Sequence, residues 1–255
     1  MTIKVSDIYD YLQSIAPLEL QMDFDNAGIQ VGSLHQEVNK VLVALDITNA
    51  VIDEAIALGT ELIVSHHPLI FGGLNNVTAE GKGAKTLRLA RAGISAISMH
   101  TNLDIAPGGV NDVLIELLGA KSAQGLDAAN CGRVGELPEA MEFMDFAKMC
   151  REKLNVQGMR YYNAGKPVKR LAVMGGAGGD EVQAAFEKGC DTYVTADVKY
   201  HQFLLAEELG INLIDADHFC TENPIVPVLG RMIKENFPEL EVTVSKFHHQ
   251  IVSTL

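Results

Sequence analysis

Apolar residues recur at helical spacing from Val5 to Ala16 and predict an opening helix, followed by the turn-rich stretch Asp23-Phe24-Asp25-Asn26-Ala27-Gly28. Strands and helices then alternate. Lys40 to Leu45 reads as a strand, Ala50 to Leu58 as a helix stopped by Gly59, Glu61 to Ser65 as a strand, and Lys85 to Ala92 as a helix stopped by Gly93. Ser95 to Met99 is the next strand and Gly109 to Leu118 its helix. Alternation at this spacing predicts right-handed βαβ units in a largely parallel or mixed sheet with helices on its faces.

Sliding the sequence over itself shows that the second half repeats this plan. At a shift of 130 residues Lys40-Val41-Leu42-Val43 falls on Arg170-Leu171-Ala172-Val173, Gly59 on Gly189, Ile63-Val64-Ser65 on Tyr193-Val194-Thr195, and His67 on Asp197. At 117 residues Ala92-Gly93-Ile94 falls on Leu209-Gly210-Ile211 and His100 on Asp217, as expected if the loop after Pro68 is 13 residues longer than its counterpart. Asn26-x-Gly28 also resembles Asn130-x-Gly132. These matches predict an α/β fold of two related repeats. We place the first at residues 1–124 and the second at 125–255, with C-terminal elements packing on the first.

The polar residues at the strand ends carry the candidate chemistry. Leu62 to Val64 runs into Ser65-His66-His67-Pro68, Ile94 to Ser98 into His100-Thr101-Asn102-Leu103-Asp104, and Ile211 to Ile214 into Asp217-His218-Phe219-Cys220-Thr221-Glu222. Open α/β sheets build their sites at the carboxyl ends of strands, so packing the halves together is expected to gather the three clusters into one cleft. Imidazoles and carboxylates without thiolates suit Zn, Mn, Fe or Co, and these donors exceed what one four-coordinate ion needs. Two divalent ions are therefore expected, with a carboxylate such as Glu222 able to bridge them. Adjacent histidines on an extended backbone point to opposite sides, so His66 and His67 need a turn to serve one pocket.

Each residue also has a plainer reading. Asp104 would cap a helix near Gly109, and Glu222 would sit favourably in the first turn of a helix. Asp197 would cap a helix, or with Lys199 or His201 line a substrate cleft. Gly175-Gly176-Ala177-Gly178-Gly179 lacks Gly-x-Gly-x-x-Gly spacing and a Walker lysine, which favours a tight turn over a phosphate cradle. His35 and the pair His248-His249 read as solvated.

Composition narrows the function classes. The chain has 255 residues, 47% of them hydrophobic, enough for one large α/β domain or two smaller ones. No apolar run approaches a membrane span and no signal segment opens the chain, which predicts a cytoplasmic protein without membrane partners. A formal charge of -13 disfavours nucleic acid as a partner, and with it a DNA-encircling role. The cysteines Cys131, Cys150, Cys190 and Cys220 form no Cys-x-x-Cys pair and read as small buried apolar residues.

Asp25-Asn26-Ala27-Gly28-Ile29-Gln30-Val31-Gly32, Ser65-His66-His67-Pro68-Leu69-Ile70-Phe71, His100-Thr101-Asn102-Leu103-Asp104, Thr195-Ala196-Asp197 and Asp217-His218-x-x-x-Glu222 together resemble the Nif-three-like family, often labelled GTP cyclohydrolase type-two homologues. The resemblance covers essentially the whole chain and is to the short form, without the domain that some members carry between the repeats. It implies two intertwined α/β repeats, a homohexameric ring and two divalent ions per subunit held by His66, His67, Asp104, His218 and Glu222. It further implies a metal-dependent hydrolase of a small substrate of nucleotide type. If the label holds, the attack is at C8 of GTP and releases formate, with His100, Asp197 or His201 moving protons. The competing implication, from the same ligands, is a metal-storage or metallochaperone protein without catalysis.

Overall fold

The computed structural model describes residues 2–254. In chain order the strands are β1 (Gly28–Val31), β2 (Lys40–Ala44), β3 (Leu62–Ser65), β4 (Ser95–Ser98), β5 (Lys121–Gly125), β6 (Arg133–Met141), β7 (Arg160–Tyr162), β8 (Val168–Val173), β9 (Thr192–Thr195), β10 (Asn212–Asp215) and β11 (Glu241–Val244). The helices are α1 (Val5–Ile15), α2 (Asn49–Leu58), α3 (Ala84–Ala92), α4 (Thr101–Ile105), α5 (Val110–Leu117), α6 (Phe143–Leu154), α7 (Val182–Glu187), α8 (Tyr200–Leu209), α9 (His218–Glu222) and α10 (Ile225–Asn236). The chain forms two compact units, one of Met1–Pro107 with Val226–His249, the other of Gly108–Ile225 with Gln250–Leu255. The repeat boundary at 124/125 divides the chain by sequence likeness. The compact units divide it by contact and are discontinuous.

The first unit holds a five-stranded mixed sheet ordered β1-β4-β3-β2-β11. Strands β2, β3 and β4 are parallel, β11 joins parallel to β2, and β1 closes the other edge antiparallel to β4. The inner strands read as unbroken apolar runs because both faces are covered. Leu42, Ala44 and Ile63 pack with Val51, Ile52 and Ala55 of α2 and Leu89 of α3, whereas Val43 faces Gly230 of α10. On that side Tyr11 of α1 donates to the Met232 carbonyl at 3.1 Å. Thr48 caps α2 by accepting from the Val51 amide, and Gly59 and Gly93 end α2 and α3 in left-handed conformation, as the sequence predicts.

The second unit holds a six-stranded sheet ordered β5-β6-β8-β9-β10-β7, again with three parallel strands, β8, β9 and β10, at its centre. The flanking strands are antiparallel, β6 on β8 with β5 outside it, and β7 on β10. Leu114, Ile115 and Leu118 from the α5 region and Phe143, Phe146 and Cys150 of α6 bury one face with Leu171, Val173, Val194 and Ile214.

Strand register bears out the duplication. Val41 opposes Leu62 in the first sheet and Leu171 opposes Thr192 in the second, a common offset of 130 residues. Leu62 opposes Ser95 and Thr192 opposes Asn212, which reproduces the change of offset to 117 after the long loop. The likeness of Asn26-x-Gly28 to Asn130-x-Gly132 does not extend to position. Gly28 opens β1, which borders β4, whereas Gly132 precedes β6, which borders β8, the counterpart of β2. Among the described residues no helix is long and apolar enough to cross a membrane.

Glu54, buried on α2, accepts hydrogen bonds from the Ser245 hydroxyl and, at 3.0 Å, the Lys246 amide, and so fastens the segment after β11. Replacing it with alanine leaves both donors without that acceptor, which costs about 2 kcal/mol. Urea denaturation of Glu54→Ala is expected to show a lowered midpoint of that size, and an unchanged midpoint would remove Glu54 from this role.

Candidate metal centre

In the first unit, β3 ends at Ser65 and the chain bends at His66 and His67, with the His66 and His67 amides still donating to the Ala44 and Leu45 carbonyls at 3.3 and 3.0 Å. The bend is the turn that adjacent histidines need to face one pocket. Their ring centroids lie 5.0 Å apart. His100 follows β4, and its ring lies 5.3 Å from that of His66 and 5.7 Å from that of His67. One ring nitrogen from each of the three falls within 4.8 Å of the others, a spacing that suits a shared cation. Asp104, on α4, places Oδ1 3.6 Å from His66 Nε2.

The other ring nitrogens are fixed. His66 Nδ1 donates to the Met99 carbonyl at 2.7 Å, His67 Nδ1 to Asp46 Oδ1 at 2.8 Å, and His100 Nδ1 to Asp25 Oδ1 at 2.7 Å. A carbonyl or carboxylate oxygen can only accept, so Nδ1 carries the proton and Nε2 carries the lone pair in each neutral ring. Asp25 is fully buried at its side chain. Burial alone would raise its pKa, but hydrogen bonds from His100, from the Thr101 hydroxyl and from the Asn26 amide, with the nearby imidazole charge, hold the carboxyl far below the usual carboxylate range.

In the second unit, β10 leads through Asp217 into the one-turn helix α9. Asp217 takes a left-handed φ of 71° and caps α9 by accepting from the Cys220 amide at 3.0 Å. That turn brings His218 and Glu222, four residues apart, onto one face with Nε2 and Oε2 at 3.2 Å. Asp197, which follows β9 at φ 52°, accepts from His218 Nδ1 at 2.8 Å. Burial would lower the His218 pKa, but the carboxylates of Glu222 and Asp197 outweigh it and push it up to about 9.

The glycine-rich stretch after β8 is a seat for Glu222. A Cβ on Gly176 would stand 2.2 Å from Glu222 Oε1 and 3.3 Å from His218 Cε1. Its amides face protein groups: Gly175 N–H donates to Asn111 Oδ1 at 2.8 Å, Gly176 N–H to Thr221 Oγ1 at 3.0 Å and Gly178 N–H to Thr195 Oγ1 at 3.1 Å. The tight-turn reading fits these contacts, and a phosphate cradle does not.

The sequence-predicted residues thus separate by role. His66, His67, His100 and Asp104 stand together in the first unit, and His218 and Glu222 in the second. Asp197, which the sequence offers as a proton carrier, holds His218 in place. His201 is exposed on α8, and its side chain makes no hydrogen bond or ion pair among the described residues. His35 and His249 are exposed as expected. His248 departs from expectation: it is half-buried and its Nδ1 accepts from the Leu45 amide at 3.0 Å. The four cysteines are buried, and burial pushes Cys150 and Cys220 up to about 12, which keeps them as inert thiols. Sequence reasoning missed Asp25 and Asp46 as partners of histidines and Gly176 as the seat of a carboxylate.

The fold and these groups define a class, a mixed α/β protein whose parallel strands end in imidazole and carboxylate sets suited to a divalent cation. The chain belongs to the Duf34/NIF3 (NGG1p interacting factor 3) family, whose model matches residues 3–251. It is 35% identical over 253 residues to the GTP cyclohydrolase 1 type 2 homolog of Clostridium perfringens, covering 96% of this chain and 97% of that relative. The Lactococcus lactis protein of the same name is 36% identical over 223 residues, 85% of this chain and 86% of the relative. Among solved structures, the Bacillus cereus protein related to NIF3 superposes with a TM-score of 0.90 at 25% identity over 100% of this chain and 99% of the other. Reduced HcgD from Methanocaldococcus jannaschii gives 0.84 at 31% identity over 97% and 99%.

Two outcomes test this geometry. Asp25→Asn sets an amide donor against the donors of His100 and Thr101, and is expected to lower stability by about 2–3 kcal/mol in chemical denaturation, against no change if Asp25 is a passive surface acid. In metal-free protein the His218 pKa is raised on folding, so its stabilising contribution is complete below about pH 6.5 and is lost as pH rises through about 9. Thermal midpoints should fall between these values, and fall less in His218→Asn. An equal fall in both would contradict the assignment.

Proposed function

We propose that this protein holds two divalent ions per chain, drawn from Zn, Fe, Mn or Co, through His66, His67, Asp104, His218 and Glu222. On this reading it is a homohexameric, metal-dependent hydrolase of a small substrate of nucleotide type, with GTP as the first candidate. The single observation that carries the metal reading is the fixed orientation of the strand-end histidines, each with Nδ1 tied to a carbonyl or carboxylate oxygen. Ring orientation of this kind is the usual support of a metal-ligating imidazole. The donor set is nitrogen and carboxylate oxygen without thiolate, which fits the four named metals. Gly176 leaves the Glu222 carboxylate the space a bridging oxygen pair would use.

Bound ions of this class supply Lewis acidity and lower the pKa of water. The chain's own residues do the rest. His66, His67 and His218 present Nε2 in a set orientation, and the Met99 carbonyl, Asp46 and Asp197 respectively keep them from rotating. His100, backed by the ionised Asp25, is the group placed to hold or pass a proton at Nε2 beside His66 and His67. The names of the relatives point to a GTP-related ligand and support the choice of substrate class.

The test is metal content and turnover on the same preparations. Protein loaded with each metal and desalted is expected to retain two equivalents by elemental analysis and to release formate from GTP or turn over another nucleotide in a broad panel. Glu222→Gln, and Gly176→Ala through displacement of that carboxylate, are expected to lower affinity by about 10- to 100-fold while leaving the circular dichroism unchanged. Full metal retention in Glu222→Gln contradicts the ligand set, and two retained metals with no turnover across the panel contradict the hydrolase reading.

A further inference from the structure

Two large aromatic side chains stand exposed beside the histidines of the first unit. Phe24 is 62% and Phe71 54% exposed, although burying a phenylalanine would stabilise the fold. They come from different loops, one before β1 and one after β3, yet their ring centroids lie 6.4 Å apart at an interplanar angle of 68°. Phe71 is also in edge contact with His100, 6.2 Å between centroids at 88°. An aromatic corner therefore leads directly to the imidazole group.

Hydrogen bonds hold the corner in shape. Asn26 Nδ2 donates to the Ile70 carbonyl at 2.8 Å, the Ile70 amide donates to Gln30 Oε1 at 3.1 Å, and Gln30 Nε2 donates to the Asn26 carbonyl at 2.6 Å. Each loop fixes the other, with its phenylalanine next to a hydrogen-bonded residue. Rings held this way lose little entropy when a ligand covers them.

We propose that Phe24 and Phe71 form the stacking wall for a planar heteroaromatic ring, such as a purine, whose reacting part lies at His66, His67 and His100. This rests on the reading of those histidines as the working site and names the part of the substrate that reaches them. Rings at 68° let a flat ligand stack on one face and meet the edge of the other, the two arrangements aromatic groups prefer. A ligand ring stacked about 3.5 Å from Phe71 is brought beside His100, whose ring centroid lies 6.2 Å from that of Phe71. An aliphatic or sugar moiety gains apolar contact from the corner but not the base-on-ring stacking that a planar heteroaromatic ring makes. Two side chains alone are also a smaller apolar patch than the several hundred Å² of a subunit interface.

The chain has no tryptophan, so the fluorescence of 2-aminopurine riboside 5′-monophosphate can be followed on the full-length protein without interference. Stacking is expected to quench it, and ribose 5-phosphate, which lacks the ring, is expected not to displace it at equal concentration. Phe71→Leu should weaken binding about tenfold, Phe71→Tyr should retain it, and both should keep wild-type metal content and oligomer mass. Repeating the titration after chelation separates the two readings, since quenching that survives metal removal keeps the wall even where the metal reading fails. The proposal is overturned by absence of quenching, by equal competition from ribose 5-phosphate, or by unchanged binding in Phe71→Leu. Loss of metal or of the oligomer in that variant overturns it too, because the ring would then serve the fold or an interface.

Discussion

The hydrogen bond from each strand-end histidine Nδ1 to a fixed oxygen is the constraint on which the rest of the structure depends. His66 uses a backbone carbonyl, and His67, His100 and His218 use Asp46, Asp25 and Asp197. An imidazole left to itself populates two tautomers and rotates about its side-chain torsions. One acceptor at Nδ1 removes the tautomeric freedom of the neutral ring and most of its rotation, and leaves a directed lone pair at Nε2. The acceptors are themselves held: Asp25 by the Thr101 amide and hydroxyl, Asp197 by a left-handed backbone that few non-glycine residues adopt.

The sheets provide the rigid base for this arrangement. Three parallel strands form the centre of each, with the same pairing register at the same sequence offset, so strand ends recur at equivalent places in the two units. Duplication has kept the position and changed the chemistry. His67 in the first repeat corresponds to Asp197 in the second, and His100 to Asp217. The first unit carries three imidazoles, and in the second the equivalent positions supply a positioning carboxylate and a helix cap that sets up His218 and Glu222.

Much of this was legible in the sequence. Unbroken apolar runs such as Val41-Leu42-Val43-Ala44 marked strands buried on both faces, and glycines after Leu58 and Ala92 marked helix ends, because both signals are local. The strand-end imidazole and carboxylate clusters were legible for the same reason. What escaped were pairings between residues distant in the chain, since an aspartate 75 residues from its histidine leaves no periodic trace. Asp25 lies in a turn-rich stretch that names no histidine partner, Asp46 just past the end of a strand, and Gly176 in a run that reads as a tight turn without showing that one of its glycines makes room for a side chain. His248 was misjudged because a histidine's solvation depends on the backbone amide it meets, here that of Leu45 on a neighbouring strand's continuation. Asn130 and Gly132 resembled Asn26 and Gly28 through shared turn chemistry, although the strands they lead into hold different places in their sheets.

The most direct measurement is anomalous diffraction from crystals of the metal-loaded protein, collected at the absorption edges of zinc, iron, manganese and cobalt. The account predicts peaks about 2.0–2.2 Å from Nε2 of His66, His67 and His218, with Nδ1 of each still on its oxygen partner. Peaks at Nδ1, or cations bound elsewhere with these histidines turned away, would contradict it.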